Sequence, residues 1–474
     1  MGTSAQKFVT VAIMSLAVLP ARAAEQPTVS KPRDKYAQAR IVHFPKDRSI
    51  GHLYIVKKPL IKESWWHYTL AWEKKSLGEA RGDVKVPADG MLRLDVVGDD
   101  RQKTQVFAAL GPNDIQIMNL STCNDIDDYF MSQIGRLTGL EVLFIAESTL
   151  TSQGLKHLTN LKQLKAIALP GYIRSNELSF LSELNSLEYL HFAGPMVTDD
   201  KMPEVGTLVS LTQLSLTGSD VGKGLAHLKA LKSLRYLNLQ ENRRFDIDAH
   251  LGHLSDLTSM EELDLRSTQI GDAGLAHIAG LTRLRKLYLS SNPVTHRITP
   301  AGIVHLKDLK AIEELDLPAD CLDDAVLAYL ARLPSLKNLS IRDDRVTDKG
   351  LKAIAGMKSL EELYVLSKNV SDDGVAGISK CTSLKSLGLS RFPLTDKGLA
   401  HLANLKSLEK LLIKQAKVTG DGLAVLKKIP ALKELELYYL NLGETGTTHI
   451  ADAASLETLS LHWLESDITD QDLA

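Results

Sequence analysis

Seven histidines could do metal chemistry if they converged. His157, His227, His253, His277, His305, His401 and His449 each stand one place before the last apolar residue of a short helix-like motif. A metal ion needs its ligand nitrogens about 2.0–2.1 Å away, whereas equivalent residues of neighbouring packed helices lie about 8–10 Å apart. The histidines are therefore expected as a row on an outer face, with no metal centre. Paired acids such as Glu262/Asp264 and Glu434/Glu436 could suggest glycoside hydrolysis, because alternate strand residues share a face roughly 6.5–7 Å apart. An open, solvated sheet would leave both members ionised, so no catalysis is expected there. Trp65, Trp66 and Trp72 could stack on sugar rings, but clustered aromatics more often bury one another, and a small core is the favoured reading. Cys123, Cys321 and Cys381 make no disulfide framework and read as unpaired structural thiols. The sequence holds no Gly-x-Ser-x-Gly, His-Glu-x-x-His or Cys-x-x-Cys, and Gly222-Lys223-Gly224 lacks the rest of a phosphate loop.

What must position these residues is a period. Leu315, Leu339, Leu363, Leu387, Leu411, Leu435 and Leu459 recur every 24 residues, each in a Leu-x-x-Leu-x-Leu frame or a close variant such as Leu336-Lys337-Asn338-Leu339-Ser340-Ile341. A second signature follows each, as in Val346-Thr347-Asp348-Lys349-Gly350-Leu351. Seven earlier centres (Leu143, Ile167, Leu190, Leu214, Leu237, Leu263 and Leu287) bring the expected strands to 14. A fixed period with this leucine grammar predicts an α/β solenoid: parallel strands on the concave face, short helices on the convex face. The Thr or Ser before each helix is an expected cap.

Residues 137–473 resemble the leucine-rich-repeat proteins of ribonuclease-inhibitor-like architecture. The Val-Thr-Asp-x-Gly-Leu-x-x-Leu variant resembles that of exported bacterial members. The resemblance implies the fold and, for function, the binding of other macromolecules.

The rest of the chain divides around this array. Lys7, the apolar run Phe8–Leu19 and Ala21-Arg22-Ala23 read as a cleavable signal peptide over residues 1–23. Residues 24–40 read as a linker, 41–112 as a separate small β-rich module, 113–136 as an N-terminal cap and 137–474 as the repeat domain. Within the module, Val84-Lys85-Val86 and Leu92–Val96 alternate about Ala88-Asp89-Gly90, predicting a hairpin. The last residues, Ile468–Ala474, read as the start of a fifteenth helix with no polar cap after it, pointing to a truncated record or to an end that packs on another chain. A net charge of −2 argues against bulk nucleic-acid binding, and nothing after the signal is apolar enough to span a membrane.

Functional information should sit where the repeat grammar is silent. The residues flanking the inward leucines in the middle repeats include Tyr236, Asn238, Glu262, Asp264, Arg266, Lys286, Tyr288, Glu314, Asp316, Arg342 and Tyr364. Tyrosine and arginine among carboxylates are interface-anchoring types. Two longer intervals, 26 residues from Leu237 to Leu263 and 28 from Leu287 to Leu315, insert loops carrying Arg243, Arg244 and Arg297 on the same rim. The expected function is that of an exported, non-catalytic protein that binds another protein on its concave face, without cofactor. The alternative is carbohydrate binding or envelope attachment through the tryptophan-rich module.

Overall fold

The computed structural model describes residues 38–56, 74–88, 90–97, 103–123, 126–145, 148, 150–171, 178–192, 194–244, 246–290 and 298–462. Six strands precede the array proper: β1 (Arg40–His43), β2 (Gly51–Val56), β3 (Lys74–Glu79), β4 (Asp83–Val86), β5 (Met91–Val96) and β6 (Ile117–Leu120). The next seven are β7 (Val142–Ile145), β8 (Ala166–Leu169), β9 (Tyr189–Phe192), β10 (Gln213–Ser215), β11 (Tyr236–Asn238), β12 (Glu262–Asp264) and β13 (Lys286–Tyr288). The last seven are β14 (Glu314–Asp316), β15 (Asn338–Arg342), β16 (Glu362–Leu366), β17 (Ser386–Ser390), β18 (Lys410–Lys414), β19 (Glu434–Tyr438) and β20 (Thr458–His462).

One open sheet of 18 strands runs in the order β3-β2-β5-β6 and then consecutively to β20. From β5 onward every pairing is parallel, and the register never slips: Leu339, Leu363, Leu387, Leu411, Leu435 and Leu459 stand opposite one another. The leucine frame causes this. Residues two apart share a face, so Leu339 and Ile341 turn inward (3% and 0% exposed), joined by Leu336 from the approach to the strand. A one-residue slip would turn them to water. The inward faces and the short outer helices enclose one continuous apolar core from Val42 to Ala453.

The second signature is a clamp between repeats. Thr347 caps its own helix through Lys349 N–H, and so do Ser371 through Asp373 N–H and Thr395 through Lys397 N–H. The aspartate after each cap reaches the next repeat. Asp348 Oδ1 accepts Ser371 N–H at 2.7 Å and Oδ2 accepts the Ser371 hydroxyl at 2.6 Å; Asp324 does the same for Thr347 and Asp372 for Thr395. The glycine makes room for it, since a Cβ on Gly374 would lie 2.6 Å from Asp348 Oδ1.

A second ladder follows the residue just before each strand. Glu141, Lys165, Glu188, Thr212, Arg235, Glu261, Arg285, Glu313, Lys337, Glu361, Lys385, Glu409, Lys433 and Glu457 alternate in sign, apart from Thr212. Contacts join Glu141–Lys165 (2.8 Å), Arg235–Glu261 (2.6 Å), Arg285–Glu313 (2.6 Å), Glu313–Lys337 (2.7 Å) and Glu361–Lys385 (2.7 Å). After several strands the chain bends through the left-handed region, at Gly218, Glu241, Ser267, Arg391, Gln415 and Tyr439 (φ 54–64°).

One expectation for the N-terminal region is corrected. β4 and β5 do not form a hairpin: β4 pairs with β1 in a two-stranded sheet, while both edges of β5 are taken, by β2 and β6. Part of the 41–112 stretch is continuous with the repeats. β5 continues the solenoid sheet into β6, because Leu92, Leu94 and Val96 repeat the inward alternation and join the same core. Phe107, on the helix Lys103–Ala109, meets Phe130 edge-on with ring centroids 5.2 Å apart. Trp65, Trp66, Trp72, the signal and linker segments up to residue 37, and residues 463–474 lie outside the described residues.

Candidate functional site

The side of each strand opposite the leucines carries rows of residues in register across the concave face. One row passes through Tyr236, Glu262, Lys286 and Glu314; the next through Asn238, Asp264, Tyr288 and Asp316. Burial divides these rows. Asn238, Glu262, Asp264 and Tyr288 are buried, at 6%, 3%, 2% and 7% exposure. Tyr236, Arg266, Lys286, Glu314, Asp316 and Tyr364 are half-buried, and Arg342, Glu362 and Ser340 are exposed. The accessible concave surface therefore lies toward β14–β19, further along the chain than the centre of the sequence-derived set.

The buried part is a charge network. Arg266 grips Asp264 with Nε at 3.0 Å and Nη2 at 2.6 Å, and its guanidinium lies 5.2 Å from the centroid of the Tyr288 ring. Lys286 Nζ stands 3.7 Å from Glu262 and 4.0 Å from Glu314. Glu262 Oε2 has no hydrogen-bond donor. Burial pushes the Glu262 carboxyl up to about 7, with Lys286 opposing. Burial also raises Asp264, against the pull of Arg266, and raises the Tyr288 phenol, helped by Glu262 and Glu314. The expectation that an open sheet leaves Glu262 and Asp264 in water is thus corrected, because both carboxylates are withdrawn from solvent.

Beyond this network the face opens into a depression of about 470 Å³. Tyr288, Asp316, Ser340, Tyr364, Gly388 and Leu412 lie along its floor, with Glu314, Glu362 and Lys410 beside them. Gly388 is required here: a Cβ would meet Tyr364 Cδ2 at 2.5 Å, so the missing side chain leaves space for the ring. Arg342 covers the Tyr364 ring at 5.3 Å. Lys410 is held by Glu434 at 3.0 Å and Glu436 at 2.8 Å. Gly388, Lys410 and Leu412 are lining residues that the reading of the middle repeats leaves out, although their register with Glu314 and Asp316 follows from the period alone.

Of the rim arginines, Arg243 and Arg244 are exposed, Arg244 pairing with Asp220 at 3.2 Å; Arg297 lies outside the described residues. The seven histidines lie in separate outer helices, for instance His157 in His157–Asn160 and His401 in His401–Asn404. Cys123, Cys321 and Cys381 are buried and form no disulfide, and burial pushes the Cys381 thiol up to about 11, which keeps it unreactive at neutral pH.

Residues 196–462, more than half of the chain, match the family described as a leucine-rich repeat region. The chain belongs to the leucine-rich-repeat proteins. A leucine-rich-repeat protein of Leptospira interrogans superposes with a TM-score of 0.51 at 19% identity, over 76% of this chain and 98% of its own. An internalin of Listeria monocytogenes gives a TM-score of 0.47 at 20% identity, over 71% of this chain and 83% of its own. The plant peptide hormone receptor RGFR1 in complex with RGF2 gives 0.42 at 15% identity, over 79% and 70%. No curated protein matches the sequence. For a leucine-rich-repeat protein the concave sheet is a continuous surface set by the repeat, and its variable positions are the ones described above. Among the described residues no helix is long and apolar enough to cross a membrane.

Proposed function

We propose that this leucine-rich-repeat protein is an exported, non-catalytic binding protein that holds another protein in the concave depression between β12 and β18. The observation that carries this reading is the depression itself: a volume of about 470 Å³ where tyrosines, carboxylates and an aliphatic side chain converge on the sheet. Tyrosine supplies large contact area with little rotamer freedom to lose. The contact set shifts accordingly toward Tyr288, Glu314, Asp316, Arg342 and Tyr364, with the buried Glu262 and Asp264 beside them. Lys7, Phe8–Leu19 and Ala21-Arg22-Ala23 support export with cleavage before Ala24.

Capture of partners from the source organism's envelope and secreted fractions tests the surface. The bait is the mature chain, beside a variant carrying Asp316→Ala, Tyr364→Ala and Leu412→Ala with unchanged circular dichroism. A partner held by the first and lost by the second is the expected result. A partner held equally by both would move the contact away from the depression. Intact mass of the secreted form tests export: residues 1–23 should be missing, and a chain beginning at Met1 would sink the signal peptide.

A further inference from the structure

The depression has an uneven charge balance. Its two lining cations are already committed: Arg266 to Asp264, at 2.6 Å, and Lys410 to Glu434 and Glu436, at 3.0 and 2.8 Å. Its three lining carboxylates are not. Glu314 comes no closer to a cation than 4.0 Å, to Lys286, and shares that lysine with Glu262. Asp316 accepts the Ser290 hydroxyl, and Glu362 has no ion-pair partner among the described residues. In the same row the buried Glu262, 3% exposed, has its Oε2 3.7 Å from that same Lys286. One lysine thus serves two carboxylates in this row, while Arg342 beside the depression lies over the Tyr364 ring, 5.3 Å from its centroid.

Geometry says where a cation would enter. Tyr288 and Asp316 are opposite each other on adjacent strands, as are Ser340 and Tyr364. The two tyrosines are three strand spacings apart, about 14 Å, with only Asp316 and Ser340 between them. Glu314 and Glu362 border the same interval, one on each side of Asn338.

We infer that the partner presents a basic segment, with a lysine or arginine side chain entering between Tyr288 and Tyr364 and its charge held by Asp316, Glu314 and Glu362. This rests on the concave face being the contact surface. Carboxylates with no local cation recover the electrostatic energy lost to desolvation only when a partner supplies one.

The test uses three fluorescein-labelled decapeptides of alternating residues, Lys-Ser, Arg-Ser and Glu-Ser, titrated with the full mature chain by anisotropy at low and at physiological salt. The lysine and arginine peptides should bind more tightly than the glutamate peptide, and less tightly as salt rises. The isosteric triple variant Glu314→Gln, Asp316→Asn, Glu362→Gln should weaken them by about tenfold or more. A control triple variant, Glu183→Gln, Asp256→Asn, Asp373→Asn, makes the same charge change at exposed sites off the concave face and should leave binding intact. Equal weakening by both triple variants, or no binding of either basic peptide, would overturn the proposal. Binding of the glutamate peptide that Tyr364→Ala abolishes would overturn the basic partner while leaving the concave face as the contact surface.

Discussion

Glu262 is a carboxylate placed where water cannot reach it, and its protonation is tied to folding. Its folded value of about 7 stands above the usual 4.5. Between these values the native state keeps a proton that the unfolded chain releases, so this group's contribution to stability falls as pH rises from 4.5 to 7 and is level above that. Glu262→Gln should remove that slope and raise stability at pH 8 by on the order of 2–3 kcal/mol; urea unfolding at pH 5, 6, 7 and 8 reads it directly, and parallel curves for the two proteins would refute it. Gly374 makes the opposite kind of point. A methyl there would sit 2.6 Å from Asp348 Oδ1 and 2.9 Å from Val370 Cγ1. Gly374→Ala should therefore break the clamp to Ser371 and destabilise by roughly 2–4 kcal/mol, measured by thermal or chemical unfolding. Glycine at this position was visible in the sequence as part of a motif. Its reason was not, because the aspartate it accommodates is 26 residues earlier and meets it only after the repeats stack.

At the scale of the element, each strand is specified twice. The leucine frame sets which side faces the core, and the alternating ladder before the strands favours one neighbour at one register. Glu313 sits between Arg285 and Lys337, whose hydrogen bonds hold its carboxyl down at about 2. Arg285→Glu would place three carboxylates, at 261, 285 and 313, in succession. Stability should drop by about 1–2 kcal/mol at low ionic strength, with much of the loss recovered in 1 M salt. A loss independent of salt would mean that Arg285 acts through packing. The alternation of sign was legible in the sequence at 24-residue spacing, whereas the short strands β10–β14 and their lengthening to five residues from β15 were not. Strand length depends on how closely the next repeat approaches, which the period does not encode.

At the scale of the whole molecule, the N-terminal strands close one end of the core. β2, β3 and β5 turn the parallel array into an antiparallel edge, and their inward residues belong to the same apolar cluster as β6 and β7. A solenoid stripped of such a cap exposes the core of its first repeat. Deletion of residues 1–112 should therefore give aggregated or poorly soluble protein. A monodisperse, fully helical-and-stranded 113–474 fragment on size-exclusion chromatography with circular dichroism would show instead that the N-terminal strands are a dispensable module.

The sequence alone determined the solenoid, because a strict period with inward leucines has one way to bury them: neighbouring repeats must stack, and the stacking repeats the same local contact. It also determined which positions face out of the concave side, since alternation along a strand needs no partner to be read. Tertiary structure decided which of those positions water and a partner can reach. Glu262 and Asp264 share the alternation of Ser340, Glu362 and Tyr364, yet only the latter three line the depression. It also decided that β2, β3 and β5 join the sheet, because a strand's edge partner is chosen by which edge is free in space, and a linear chain carries no record of which edges its other strands have filled.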